Sequence, residues 1–217
     1  MKRDNIYHAI EVNEDCYLHD ETLDKLKNIL SDQYLYSRRL QGDLDLEKGG
    51  FAGFDYISFY DNLLRYAKPY ENNKFYRGYN SYSSYVANSL SLGFKRDDIE
   101  IIKPTLIAPV VFDWDSMEMM RILGKSDTCR YSDMPDEIQV KDKVSLKKLV
   151  CLTLPVHLMV QNKKGIIYDS SDIYDCVNDI KNLLMKYDYE VPVYDLYSRT
   201  KLDSEEKVNK VFKKYKI

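Results

Sequence analysis

The chain has 217 residues, with 32 Lys and Arg against 35 Asp and Glu and a formal net charge of −3. That length holds one substantial domain whose core needs no disulfide staples, and it excludes a second full domain. The near-balanced charge excludes a whole-molecule field that recruits nucleic acid or an anionic membrane, so any such contact must be a local patch.

In chain order, NIYHAIEV at 5–12 mixes β-branched and aromatic residues and predicts a first strand. DETLDKLKNIL follows, with Asp20 as its N-cap and Leu23, Leu26, Ile29 and Leu30 at helical spacing. Residues 41–53, QGDLDLEKGGFAG, carry four of the eight glycines and read as a loop. FDYISFYD at 54–61 then predicts a strand with Tyr56, Ser58 and Tyr60 on one face and Ile57 and Phe59 on the other. Residues 65–85 have no clear period and read as loop, with a short helix near SSYVANSLSL. TLIAPVVFDW at 105–114 is the most apolar strand candidate, and Pro109 marks it as an edge or a bulge.

EIQV at 137–140 and KKLVCLTLP at 147–155 predict two more strands, joined by a turn at KDKVS. SSDIYDCVNDIKNLLMKY predicts a helix with Ser171 as the N-cap, and EVPVYDL adds a strand. The tail SEEKVNKVFKKYKI starts acidic and ends in lysines, as a helix macrodipole favours, with Val208, Val211, Phe212 and Tyr215 on one stripe. Its lysines read as a solvated face. Strands separated by loops and isolated helices, without regular β-α alternation, predict an α+β fold in a single domain over 1–217.

Cys16, Cys129, Cys151 and Cys176 are far apart and form no C-x-x-C pair, so neither a disulfide framework nor a zinc ribbon is written here. A reducing cytoplasm is the expected compartment, and delivery to another cell as an effector leaves the same signature. No run reaches the roughly 18 apolar residues of a spanning helix, and no membrane partner is expected. The 20 tyrosines point more to compositional bias than to a stacking surface.

Nucleotide-binding glycine motifs and H-E-x-x-H are absent. Cys16 and His19 have a C-x-x-H spacing, but no second pair completes a zinc site, and no metal is expected. A Cys151/His157 nucleophilic pair is open to the sequence, although Cys151 sits in an apolar strand where thiols are ordinarily inert.

What remains is an ordered set: His8 in the first strand, Ser58 in YISFY, and Glu137 opening EIQV. Here the chain resembles the ADP-ribosyltransferase superfamily. IYHAI is similar to that family's first strand, YISFYD to its central strand, and DEIQVKDKVSLKKLVCLTLP to the catalytic Glu opening a strand, turn and strand. Order and spacing look closest to the bacterial branch whose toxins modify DNA bases. The resemblance covers about residues 5–155, leaving 156–217 as a helical extension with an extra strand.

The resemblance implies a split β-sheet with flanking helices, and a mono-ADP-ribosyltransferase that uses NAD as substrate. It implies Glu137 as the catalytic residue. His8 would hold the adenosine-side ribose, the backbone at Ala9 the nicotinamide amide, and Ser58 or Tyr60 the nicotinamide ribose or ring. Arg38 or Arg39 would neutralise the pyrophosphate, because a guanidinium forks onto phosphate oxygens. The implied acceptor is a macromolecule, protein or nucleic acid, in a toxin, effector or housekeeping setting.

Two departures bear on the acceptor. Pro135 stands where many protein-modifying members carry Glu or Gln, and Ser58-Phe59-Tyr60 replaces Ser-Thr-Ser. The alternatives are a non-catalytic protein-interaction module of the same fold and an RNA 2′-phosphotransferase-like enzyme. A basic cleft is expected of the latter, and the near-neutral charge disfavours it.

Overall fold

A computed structural model describes residues 5–10, 20–42, 56–60, 90–100, 103–104, 137–160, 168–196 and 198–216. Among these, the elements run β1 (Asn5–Ile10), α1 (Asp20–Asp32), β2 (Tyr34–Tyr36), β3 (Tyr56–Tyr60) and β4 (Leu90–Lys95). There follow β5 (Lys103–Pro104), β6 (Glu137–Lys141), β7 (Lys143–Ser145), β8 (Leu149–Leu154) and α2 (Val156–Val160). The chain closes with α3 (Ser170–Lys186), β9 (Val193–Asp195) and α4 (Glu205–Tyr215).

The strands divide into a large sheet of order β5-β6-β3-β1-β4-β8-β9 and a small one, β2-β7. All neighbours in the large sheet are antiparallel except β8 and β9, which pair in parallel. Parallel neighbours need a crossover, and α2 and α3 supply it. The fold is therefore α+β with its strands split between two sheets, and residues 193–195 extend the large sheet.

Period-two alternation builds the core. Ile6 pairs with Phe94 and Leu92 with Leu152, and all four are fully buried. Phe59 is 0% exposed and meets Phe94 edge-on at 5.5 Å. Ile57 is buried with it, as the YISFY alternation predicts. Helices close the core with stripes at 3.6-residue spacing: Leu26 and Leu30 from α1, Ile173, Val177, Ile180 and Leu184 from α3, and Val208, Val211, Phe212 and Tyr215 from α4. Each large apolar side chain so buried stabilises by about 1.5–3 kcal/mol.

Four local expectations are corrected. The KDKVS segment is more than a turn: Lys143–Ser145 forms β7 and pairs with β2, which the sequence had left unassigned. Asp142 makes the exit from β6 with φ +60, a left-handed conformation that Asp tolerates, and its carbonyl accepts the Ser37 N–H at 2.7 Å. Leu90, Ser91 and Leu92, placed near a short helix by the sequence, belong to β4. Their alternation with Phe94 buries one apolar row in the middle of the sheet, which outweighs the weak strand propensity of Ser and Gly.

The third and fourth corrections concern helix starts. Asp169, rather than Ser171, caps α3, accepting from the backbone of Ser171 and Asp172 while the Asp172 side chain accepts from Asp169 N–H. The Ser171 hydroxyl, which donates to Asp169 Oδ1 at 2.6 Å, and then the Asp172 N–H hold the Asp169 carboxyl below its usual range. Asp20 is the first helical residue of α1 and not its cap. The TLIAPVVFDW segment at 105–114, the loop at 65–85 and all of 41–53 beyond Gly42 lie outside the described residues.

Candidate active site

Glu137 opens β6, and its Cα partner across the ladder is Tyr60 of β3. Tyr60 is in turn the partner of Tyr7 on β1, so one register row runs Glu137, Tyr60, Tyr7 across three neighbouring strands. Ser58 pairs with Gln139, two residues further along the same ladder. The three segments that the sequence singled out, more than 40 residues apart in the chain, thus lie side by side.

Within this arrangement the residues divide. Tyr60 and Glu137 are direct partners, and Ser58 shares their alternation. His8 belongs to the other alternation of β1: it is half-buried, and its ring lies 5.6 Å from that of Phe59. Ala9 is paired through β4, opposite Ser91. Among the described residues β1 is registered to β4 over six pairs but to β3 at Tyr7 and Tyr60 alone.

Arg38 and Arg39 sit in the turn after β2. The neighbouring Ser37 donates its N–H to Asp142, five residues beyond Glu137, so this turn stands about 16 Å along β6 from Glu137 at ~3.3 Å per residue. That hydrogen bond joins the turn carrying the arginines to the residue between β6 and β7.

The thiol alternative fares differently. Cys151 is 2% exposed, and burial pushes its thiol up to about 11, which leaves no thiolate to attack at neutral pH. The His157 ring packs edge-on against Tyr215 at 6.0 Å, and complete burial holds it neutral, well below the usual imidazole range. Cys16 and His19 lie outside the described residues.

No protein-family model matches the chain, and no curated protein matches it. Among solved structures it is similar to DarT of Thermus sp. 2.9. With DarT in complex with ADP-ribosylated ssDNA the TM-score is 0.42 at 11% identity, over 90% of this chain and 96% of that one. With DarT in complex with carba-NAD+ it is 0.42 at 12% identity, over 91% and 99%.

Tyr7 was missed by the sequence. It precedes His8 and reads as one more aromatic in a strand, yet it is the β1 residue in the Glu137 row. Alternation alone distinguishes Tyr7 from His8, but it leaves open which of the two parities meets Glu137.

Proposed function

We propose that this chain is a NAD-dependent ADP-ribosyltransferase that delivers ADP-ribose to a macromolecular acceptor, with nucleic acid the acceptor class that the sequence resemblance favours. The observation that supports it is the pairing of Glu137 with Tyr60 beside β1.

The chemistry needs little more than a well-placed carboxylate. As the bond from ribose C1′ to the nicotinamide nitrogen breaks, the electron pair leaves with nicotinamide and positive charge develops on the sugar, as in glycoside hydrolysis. A carboxylate fixed near that ribose stabilises the charge more in the transition state than in the ground state, which is what accelerates the step. Glu137 takes that role. An oxygen or nitrogen of the acceptor then bonds to C1′ and gives up its proton, for which Glu137 is also the base.

The test is transfer from labelled NAD to separate pools of single-stranded DNA, RNA and protein. Label is expected in the DNA pool. Glu137→Gln is expected to lower the rate about 10²–10³-fold while NAD still raises the melting temperature. An unchanged rate in that variant removes Glu137 from the mechanism, and absence of label from every pool removes the activity.

A further inference from the structure

The small sheet has two unlike faces. Leu35 of β2 and Val144 of β7 are paired, each is 4% exposed, and together they close one face against the core. Tyr34 and Tyr36 take the other parity, partnered by Ser145 and Lys143, so these four residues share the second face. Both tyrosines are half-buried, and Lys143 is exposed. The two rings have their centroids 5.7 Å apart at an inclination of 35°, and Lys143 Nζ stands 5.0 Å from the centre of the Tyr34 ring. A cation over an exposed ring is weakly attracted to it, which keeps the lysine and the rings together as one surface. Core packing accounts for Leu35 and Val144. It does not account for two aromatic rings and a cation gathered outward on strands of three residues.

This face is braced at both ends. Leu146 donates its N–H to the Gln33 carbonyl at 3.0 Å, and Ser37 donates to the Asp142 carbonyl at 2.7 Å, so the ladder is closed before Tyr34 and after Tyr36. The Gln41 side chain also donates to the Tyr36 carbonyl at 2.9 Å. Backbone fixed in this way lowers the cost of ordering the rings for a ligand.

The surroundings are basic in a chain that is not. Residues 32–42 and 141–148 carry Arg38, Arg39, Lys141, Lys143, Lys147 and Lys148 against Asp32 and Asp142, while the whole chain is at −3. Lys148 is turned to the Asp98 carbonyl at 2.6 Å, and Arg39, Lys141, Lys143 and Lys147 are exposed. Cations around paired rings complement a ligand with negative charge along its backbone and flat groups beside it. A nucleic acid with unpaired bases has both. An acidic polypeptide has the charge without the flat groups, and in a duplex those groups are already stacked on one another.

We propose that Tyr34, Tyr36 and Lys143 form a stacking platform for single-stranded nucleic acid, with bases on the rings and phosphates on the surrounding cations. The platform rests on nucleic acid being the acceptor, and it gives the strand a hold apart from the nucleotide that reacts. Asp142, next to Lys143, is five residues beyond Glu137, about 16 Å along β6. About five nucleotides span that length at ~3.4 Å each.

Fluorescence anisotropy of a labelled DNA single strand of about 20 nucleotides, long enough for such a surface, titrated with the full chain tests it. Tyr34→Leu and Tyr36→Leu are each expected to weaken binding about 5- to 100-fold, the loss of one stacked base, while Tyr36→Phe binds as wild type. Lys143→Gln is expected to flatten the slope of log affinity against log salt by about 0.7, a change that lost packing would not produce. This exposed position serves if the leucine variants do not fold. A duplex of the same sequence and polyglutamate are expected to bind more weakly than the single strand. Wild-type affinity in both leucine variants, an unchanged salt slope in Lys143→Gln, or equal binding of the duplex or of polyglutamate overturns the platform alone. If the strand binds with all the expected losses but no pool takes label from NAD, the transferase reading falls and the platform stands as a binding surface.

Discussion

Tyr215 donates a 2.6 Å hydrogen bond to Asp195 Oδ2, tying the last helix to the edge strand inside the core. The Ser198 N–H reaches the same oxygen at 2.7 Å, Oδ1 has no partner, and Asp195 is 0% exposed. Removing the donor with Tyr215→Phe leaves a buried carboxyl oxygen less satisfied and is expected to cost about 1.5–3 kcal/mol. Urea denaturation measures it, and a loss below about 0.5 kcal/mol, the scatter of neutral surface changes, would show that the bond is dispensable.

The same carboxyl sets a pH dependence. Burial raises Asp195 despite its hydrogen-bond donors. The folded chain then holds this proton more tightly than the unfolded chain, whose value is near 3.8. The contribution is therefore full below that value and is lost as pH rises through the folded one. Asp195→Asn keeps an acceptor for Tyr215 and Ser198 but cannot charge. Its stability relative to wild type is expected to improve from pH 4 to pH 8 in parallel denaturation curves, and an advantage that instead grows toward acid contradicts the assignment.

Gly93 leaves no room for a side chain, since a Cβ there would lie 2.5 Å from Cys151 Sγ and 3.0 Å from Tyr7 Cε1. Gly93→Ala drives a methyl into Cys151 Sγ and the Tyr7 ring, and overpacking of this kind costs about 1–3 kcal/mol. In a Cys151→Ala background the sulfur is gone, so the cost of the second change is expected to fall by at least a third of that range. Strict additivity in that double-mutant cycle would mean that Cys151 is not what the methyl meets.

Cys151 itself should be chemically silent. With its thiol pushed up to about 11 and 2% exposed, iodoacetamide at pH 8 is expected to label it only through unfolding, and fully in urea. Mass spectrometry reads this directly, and fast labelling of the native chain would restore the nucleophile reading that the structure disfavours.

Much of this molecule can be read locally. The α4 stripe, the α3 stripe and the Ile57/Phe59 alternation are all buried as their periodicity predicts, because side-chain direction within one element follows from its own backbone geometry. Leu90–Lys95 was legible in principle, as Leu90, Leu92 and Phe94 alternate, but Ser91 and Gly93 between them weaken the strand signal. The three-residue strands β2 and β7 have no such signal, since Leu35 and Val144 are strand residues only because they face each other.

At the site the same boundary holds. Resemblance to the ADP-ribosyltransferase superfamily singled out His8, Ser58 and Glu137, and the period of two fixed which residues alternate within each strand. Register between strands is a non-local quantity, decided by which rows of side chains fill the core together. It is this that seated Glu137 opposite Tyr60, put Tyr7 rather than His8 in their row, and set Arg38 and Arg39 in the turn that follows the small sheet's β2.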